Sequence, residues 1–253
     1  MKMYRNKEWL RHKYIDEKLS KSQICKLCGA GETVILKYLK RFNIPRRSTS
    51  EGIHLANGNH CNLTQGVINW INGELLGDGN LNSRCIYSAR IGYSSKYLEY
   101  IQYVSDTLKL FGIEQAGKIY KRYDKKWGNC VYRYSSLSYP ELLPIYKQWY
   151  PEGKKIIPRD IILTPLVCRQ WYIGDGTLNH DKREGRKTSI KLATDGLPII
   201  GVKLLVNKMI NMGIKATRQP TYNKIYISTH STKDFLKYIG MCPVKCYEYK
   251  WAY

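Results

Sequence analysis

Two aspartates, Asp78 and Asp175, each stand in a Gly-Asp-Gly sequence that ends an apolar stretch with helical periodicity. A carboxylate at the C-terminal end of a helix faces the negative end of the helix dipole, and a second carboxylate beside it adds like-charge repulsion. This arrangement is costly unless a cation binds there. Oxygen ligands of this kind suit Mg²⁺, which can activate water for phosphodiester hydrolysis.

Glycines precede both aspartates and would let the two helices meet closely. If the helices pack against each other, Gly77 and Gly174 permit close backbone approach, and Asp78 and Asp175 meet at the end of the interface. We therefore predict a metal site at these four residues. A single copy would be weak evidence, since Asp-Gly is an ordinary turn, as Asp195-Gly196 illustrates.

The elements around the two copies form a degenerate internal repeat. The first helix covers residues 62–79, and the second begins at Thr164 as N-cap with Pro165 in its first turn. The acids lie 97 residues apart, and each is followed by strands, a helix, further strands and another helix. Strands are predicted near residues 85–93, 118–123, 130–136, 188–194, 216–218 and 225–229. Helices are predicted near residues 96–110, 139–149, 197–212 and 231–239.

Alternation along the predicted strands separates basic from apolar side chains. It places Lys118, Tyr120 and Arg122 opposite Ile119, and it places Lys224 and Tyr226 opposite Ile225 and Ile227. Each sheet would then have an apolar face under helices and a basic face that could line a groove for a duplex; a solvated outer face is the alternative. The candidate DNA contacts in this part of the chain are Arg90, Lys118, Tyr120, Arg122, Arg133, Lys187, Lys191, Lys224 and Tyr226.

The N-terminal segment, residues 1–45, is predicted to be a helix-turn-helix module. Ser20 to Gln23 is typical of a capping box, and Gly29-Ala-Gly31 separates two helical patterns. A plain three-helix structural module is the alternative. A polar linker is predicted over residues 46–61. The candidate DNA contacts here are Thr33, Lys37, Lys40 and Arg41 on the third helix, and Arg46 and Arg47 in the linker.

Charge and composition point to a polyanionic partner. The chain of 253 residues has 42 Lys and Arg against 20 Asp and Glu, a formal charge of +22. The first 60 residues hold 13 basic and 5 acidic residues, so both parts of the chain are basic. No apolar run approaches the roughly 18 residues of a membrane span, and the N-terminus lacks the apolar core of a signal peptide. We therefore expect a soluble protein of the cytoplasm or nucleoid, of phage, bacterial or organellar origin, that binds nucleic acid.

The two motifs, Gly73-Glu-Leu-Leu-Gly-Asp-Gly79 and Gln170-Trp-Tyr-Ile-Gly-Asp-Gly176, resemble the signature helices of the LAGLIDADG homing endonucleases. The resemblance covers residues 62–253. It implies an α+β fold, a pseudo-twofold monomer of two αββαββα units at residues 62–158 and 159–253. It also implies that Asp78 and Asp175 bind Mg²⁺ or another divalent cation and help to cut both strands of DNA across the minor groove.

The same resemblance implies a lysine near the metals after the last helix of each unit. The matching choices are Lys155 and Lys250, with Lys154 and Lys245 as close competitors and a simple phosphate contact as the alternative role. One departure is Gln170, which stands where the first motif has Gly73, so the helix interface is expected to be asymmetric there.

Two classes of function remain open at this point. The first is a site-specific double-strand DNA endonuclease. The second is a non-catalytic binder, since related folds serve as transcription regulators and others as intron RNA maturases. Degenerate relatives can lose the acids, whereas this chain has both, which favours cleavage. A splicing role with intron RNA as partner could coexist with cleavage.

Overall fold

The computed structural model describes residues 2–48, 51–52, 58–124, 128–180 and 188–253. The chain forms two compact units, residues 1–59 and residues 60–253, and each has its own hydrophobic core. Within the ranges described, no helix has the length and apolar character needed to cross a membrane.

The first unit is a small helical module. Its helices are α1 (Lys7–Arg11), α2 (Lys21–Cys28) and α3 (Glu32–Arg41). The predicted capping box is present: Ser20 Oγ accepts from the Gln23 backbone N–H, and Gln23 Oε1 accepts from the Ser20 backbone N–H. Gly29 ends α2 with φ +64°, a left-handed conformation that glycine adopts without steric cost. The three helices agree with the sequence pattern, while the helix-turn-helix assignment stays a prediction.

The second unit contains the repeat. Its first half comprises α4 (Gln65–Leu76), β1 (Asn80–Cys85), β2 (Ser88–Ser95), α5 (Leu98–Leu110), β3 (Tyr120–Asp124), β4 (Asn129–Ser135) and α6 (Leu142–Trp149). Its second half comprises α7 (Pro165–Asp175), β5 (Gly176–His180), β6 (Thr188–Leu192), α8 (Ile199–Asn211), β7 (Ala216–Gln219), β8 (Lys224–Ile227) and α9 (Thr229–Ile239). A 3₁₀ segment, Lys245–Trp251, follows α9. The predicted α+β fold with a repeated αββαββα order is confirmed.

The two halves have the same sheet topology. The antiparallel strand orders are β1-β2-β4-β3 and β5-β6-β8-β7. The helices α4 and α7 begin alike, because Thr64 Oγ1 and Thr164 Oγ1 each accept from the backbone N–H three residues on. Trp70 and Trp171 are buried on these helices within one hydrophobic core that extends through both halves. Because α4 and α7 pack directly against each other, both motif ends come to one place.

Three details of the predicted strands were wrong. The strand predicted near residues 85–93 corresponds to β2, and the pattern missed both β1, which pairs with it, and β5, which starts directly after Asp175. Lys118 and Ile119 precede β3 instead of alternating within it. The described side chains of β3, residues 120–123, are exposed on both faces, because β3 is the edge strand of its sheet and lies beyond the covering helices.

Candidate active site

The backbones of α4 and α7 meet closely at glycines of the two motifs. A Cβ built on Gly77 would lie 3.3 Å from the Gly174 Cα, and one on Gly174 would lie 2.9 Å from the Asp78 nitrogen. These distances leave no room for a side chain at Gly174 and little at Gly77. The close approach places Asp78 and Asp175, which follow these glycines, next to each other.

The two aspartates differ in their surroundings. Asp175 is the last residue of α7 and is half-buried, whereas Asp78 lies two residues beyond α4 and is exposed. Burial, and after it the nearby charge of Asp78, raise the pKa of Asp175 to about 7, although Lys155 and Lys250 act to lower it. The pKa of Asp78 is raised because the protein around its cleft removes part of its hydration shell. The site therefore concentrates negative charge in a partly desolvated place.

Two lysines oppose that negative charge. Lys250 is buried, and its Nζ donates to the Ile173 oxygen at 2.5 Å and to the Gly174 oxygen at 3.3 Å, at the C-terminal end of α7. Burial lowers its pKa to about 8, against the charges of Asp78 and Asp175. Lys155 is half-buried and its Nζ donates to the Gly79 oxygen at 3.3 Å.

Lys155 responds to the same two carboxylates as Lys250. Burial lowers the pKa of Lys155, while the charges of Asp175 and Asp78 oppose this shift. The competing candidates Lys154 and Lys245 are exposed. The structure thus gathers Lys155 and Lys250 with the acids and favours them over their neighbours.

A cleft opens beside each aspartate. The cleft at Asp78, about 460 Å³, is also lined by Ser94 and Val131 of the first sheet. The cleft at Asp175, about 300 Å³, is lined by Thr177 and by Ala193, which follows β6. Gly174, Tyr249 and Lys250 line both clefts. The two clefts are therefore neighbours that share one wall.

The first cleft continues onto the basic face of the first sheet. Directly opposed residues in antiparallel strands share a face, and Arg133 is opposite both Ser94 and Tyr120. Arg90 lies four residues before Ser94, and Arg122 two residues after Tyr120, so both belong to the same face. Ser94 lines the Asp78 cleft, so the predicted DNA contacts Arg90, Tyr120, Arg122 and Arg133 share a face with that cleft. Lys118 is exposed but precedes the strand.

The second sheet repeats this arrangement. Lys191 is opposite both Thr177 and Tyr226, and Lys224 lies on the same face two residues before Tyr226. Thr177 lines the Asp175 cleft. As predicted, Ile225 and Ile227 point to the buried side. Lys224 Nζ lies 3.8 Å from Asp195 Oδ2. Lys187, another predicted contact, lies outside the described residues.

In the first unit, the predicted DNA contacts divide into two groups. On α3, the side chains of Thr33, Lys37, Lys40 and Arg41 are exposed, and so is Arg46. The Arg47 side chain instead makes contacts within the helical module.

The Arg47 guanidinium lies 4.1 Å from the centre of the Tyr14 ring and donates to the Leu19 oxygen at 2.8 Å and to the Tyr14 oxygen. These contacts fix the start of the predicted linker to the helical module and leave Arg46 as the exposed arginine there.

Sequence reasoning missed a buried polar cluster beside the aspartates. Glu74 on α4 is buried, and its carboxylate accepts from Tyr100 Oη at 2.9 Å and from Gln170 Nε2 at 2.6 Å. Burial raises the pKa of Glu74 to about 7, although the hydrogen bonds from Tyr93, Tyr100 and Gln170 lower it. The signal in the sequence was Glu74 itself, a charged residue within an otherwise apolar motif.

Gln170 explains the expected asymmetry of the interface. A Cβ on Gly73 would lie 2.8 Å from the Gln170 Cβ and 2.7 Å from the Val167 oxygen. Gln170 of the second motif therefore packs against Gly73 of the first motif, which has no side chain.

Comparisons with known proteins agree with this architecture. The sequence model of the LAGLIDADG DNA endonuclease family matches residues 68–235. An uncharacterized protein of Methanocaldococcus jannaschii is 28% identical over 201 residues, which are 78% of this chain and 75% of that protein. The cytochrome b mRNA maturase bI2 of Debaryomyces hansenii is 30% identical over 128 residues, 47% of this chain and 46% of the maturase.

The fold is also similar to that of a solved structure. The homing endonuclease I-WcaI, solved bound to its DNA recognition sequence, superposes with a TM-score of 0.63 at 18% identity. The match covers 83% of this chain and 96% of that chain. At this identity the likeness shows the fold.

Proposed function

Because the chain belongs to the LAGLIDADG DNA endonuclease family, we propose that it is a site-specific double-strand DNA endonuclease dependent on a divalent cation. One observation carries the proposal: Asp78 and Asp175 each line a cleft that shares a face with the basic residues of their own sheet. A duplex bound to those faces brings its phosphates to both acids. The formal charge of +22 provides the long-range attraction for such a polyanion.

The acids fit a divalent cation. The charge of Asp78 raises the pKa of Asp175, so a metal-free site holds two carboxylates that disfavour each other's ionisation. Among the described residues, no three His, Cys, Asp or Glu side chains cluster as ligands. Asp78 and Asp175, with the oxygens of Gly77 and Gly174 beside them, would be the protein's share of the ligands, as suits Mg²⁺. When bound, such an ion activates water and stabilises charge on the phosphate.

The lysines support the same reaction. Lys250 Nζ donates to the Ile173 oxygen at the end of α7, where the helix dipole is negative, and Lys155 Nζ donates to the Gly79 oxygen at the end of the first motif. They offset the charge of the acids and hold positive charge where a scissile phosphate would lie. Because Lys250 is buried and Lys155 is half-buried, their electrostatic effect on that phosphate is stronger than that of an exposed lysine.

Cleavage of plasmids tests the proposal. A library of plasmids with randomised inserts is incubated with the protein and Mg²⁺, and sequencing of the cut ends identifies the preferred site. Insertion-site DNA rebuilt by joining the sequences that flank the gene is the directed substrate. Asp78→Asn and Asp175→Asn are expected to bind this site and not to cut it. Asp106→Asn, the same change at an exposed position of α5, is the matched control and should cut normally.

The outcome separates the two classes of function. Cleavage retained by both motif variants refutes the proposed mechanism. Specific binding without cleavage by the wild-type protein at saturating Mg²⁺ would instead assign a non-catalytic DNA-binding role.

A second candidate function is intron RNA binding in splicing. It is favoured by the 30% identity over 128 residues with the cytochrome b mRNA maturase bI2. The chain spans about half the length of that maturase, so the comparison concerns part of that protein. Filter binding of structured intron RNA and of the DNA site at equal salt tests it. A maturase is expected to bind the intron RNA in a sequence-dependent and salt-resistant manner. An affinity for the intron RNA no higher than the affinity for duplex DNA of random sequence argues against this role.

A further inference from the structure

The buried carboxylate of Glu74 joins three helices. Tyr100 Oη of α5 donates to Glu74 Oε1 at 2.9 Å and to Oε2 at 3.2 Å, and Gln170 Nε2 of α7 donates to Oε1 at 2.6 Å. Glu74 is 2% exposed and Gln170 is 0% exposed. A hydrogen bond between two buried polar groups is directional and costly to break, because neither group can turn to water, so this pair fixes α7 along the axis of α4.

The backbone of the same residue holds the turn that carries Asp78. The Glu74 oxygen accepts from the Gly77 N–H at 3.1 Å and from the Gly79 N–H at 2.8 Å. A Cβ on Gly79 would lie 2.8 Å from the Glu74 oxygen, so the turn is packed directly on Glu74. The residues on both sides of Asp78 are thus bonded to the residue whose side chain is bonded to the opposite helix.

The second motif has a different residue at the equivalent position. Trp171 stands where the first motif has Glu74, and its indole nitrogen is buried without a hydrogen-bond partner in the described chain. Among the described residues, the hydrogen bonds that join a buried side chain across the helices to the turn that carries the aspartate are therefore present at Asp78 and have no counterpart at Asp175. No residue of this network lines either cleft.

We propose that Glu74 is a positioning residue, which through Gln170 fixes the register of α4 against α7 and so holds Asp78 at the distance from Asp175 that divalent-cation binding requires. Where this inference concerns cleavage, it rests on the proposed function. Its structural part concerns the metal affinity of the protein without DNA. Outer partners that hold a metal ligand in place typically change metal affinity by roughly 10- to 100-fold when they are removed.

The test measures Mn²⁺ binding to the whole protein without DNA, from the loss of the free-ion EPR signal. Gln170→Leu keeps the bulk of the side chain and removes the donor, and its Mn²⁺ affinity should fall by at least about tenfold. The exchange Glu74→Gln with Gln170→Glu restores a donor on one helix and a carboxylate on the other, and should return the affinity to within about threefold of wild type. If Gln170→Leu is not recovered folded, Gln170→Met, which is unbranched like glutamine and also lacks the donor, replaces it.

Asn72→Leu is the matched control for a purely structural effect. Asn72 is half-buried on the same helix, and its Oδ1 accepts from Trp149 Nε1 at 2.9 Å, a bond that stays within the first half of the repeat. This variant should lower the melting temperature and leave Mn²⁺ affinity unchanged. Equal Mn²⁺ affinity of Gln170→Leu and wild type, or failure of the exchange to restore a lost affinity, overturns the inference.

DNA cleavage provides a second measurement beside Mn²⁺ binding. On a supercoiled plasmid with the preferred site, Gln170→Leu should accumulate nicked circles, because the Asp78 side is displaced more than the Asp175 side. If wild type binds Mn²⁺ and cuts no DNA, the proposed function fails while the Mn²⁺ comparison still decides the role of Glu74. If wild type cuts DNA and the variants bind Mn²⁺ as wild type does, only the role of Glu74 is refuted.

Discussion

Replacement of Gly73 by alanine gives a direct measure of the helix contact that builds the site. The new Cβ would lie 2.7 Å from the Val167 oxygen and 2.8 Å from the Gln170 Cβ, where ordinary contacts begin at 3.4 Å. Two of its three nearest atoms belong to the backbone of α7, so no change of rotamer relieves the overlap, and the helices must separate by roughly 0.6 Å. Overpacking of this kind costs about 1–3 kcal/mol, against a helix-propensity gain of about 0.5–1 kcal/mol.

The difference, about 0–2.5 kcal/mol and about 1 kcal/mol near the middle of both ranges, lowers the melting temperature by up to roughly 10 °C for a unit of this size. Gly66→Ala on the same helix is the matched control, because the nearest atom to its Cβ is Thr64 Oγ1 at 3.8 Å. That change should increase the free energy of unfolding by about 0.4–1 kcal/mol and so raise the melting temperature slightly. Thermal denaturation followed by circular dichroism compares the two. Equal melting temperatures for Gly73→Ala and Gly66→Ala would refute the close contact.

Three further predictions concern charge. Since the pKa of Asp175 is raised to about 7, the metal-free protein should lose stability as pH rises through 7 while cleavage with Mg²⁺ increases. Asp175→Asn should reduce this pH dependence of the melting temperature and leave the part due to Glu74, whose pKa is also raised to about 7. Lys250→Met should lower the cleavage rate at least about 100-fold with DNA affinity retained, whereas the exposed Lys245→Met should cut within threefold of wild type in the same gel assay. Changing Lys37 and Lys40 to alanine should reduce the slope of log Kd against log salt, measured by fluorescence anisotropy, by about 1.8, and an unchanged slope would exclude both from phosphate contact.

Local sequence signals were sufficient for the helices that carry the aspartates. Thr64 and Thr164 cap α4 and α7 by bonds to residues three positions on, and such bonds depend only on neighbouring sequence. The apolar period then places each helix in the core. The resemblance of the two motifs was enough to predict the αββαββα order, although the strand pattern itself had missed β5.

The missed features depend on partners that are distant in sequence. β1 reads Asn-Leu-Asn-Ser-Arg-Cys, a polar segment with little intrinsic strand preference, and it becomes a strand because it pairs with β2. Glu74 would be expected on a solvent-exposed face of a helix, and it is buried because Tyr100 and Gln170 supply donors 26 and 96 residues away. No local pattern contains that information.

The close approach of the motif helices also determines the electrostatics of the site. Glycines at the contact bring two helix C-termini together, so the negative ends of two dipoles and two carboxylates share one place. Lys250 binds backbone oxygens at the end of α7, which offsets that dipole, and Lys155 binds the Gly79 oxygen after α4, so both lysines use backbone acceptors rather than the carboxylate oxygens of Asp78 and Asp175. The two lysines also lower the pKa of both aspartates, but burial and the charge of Asp78 still hold the pKa of Asp175 at about 7. Under the proposed function, a divalent ion would neutralise both carboxylates, so the repulsion that raises the pKa of Asp175 would favour binding of that ion.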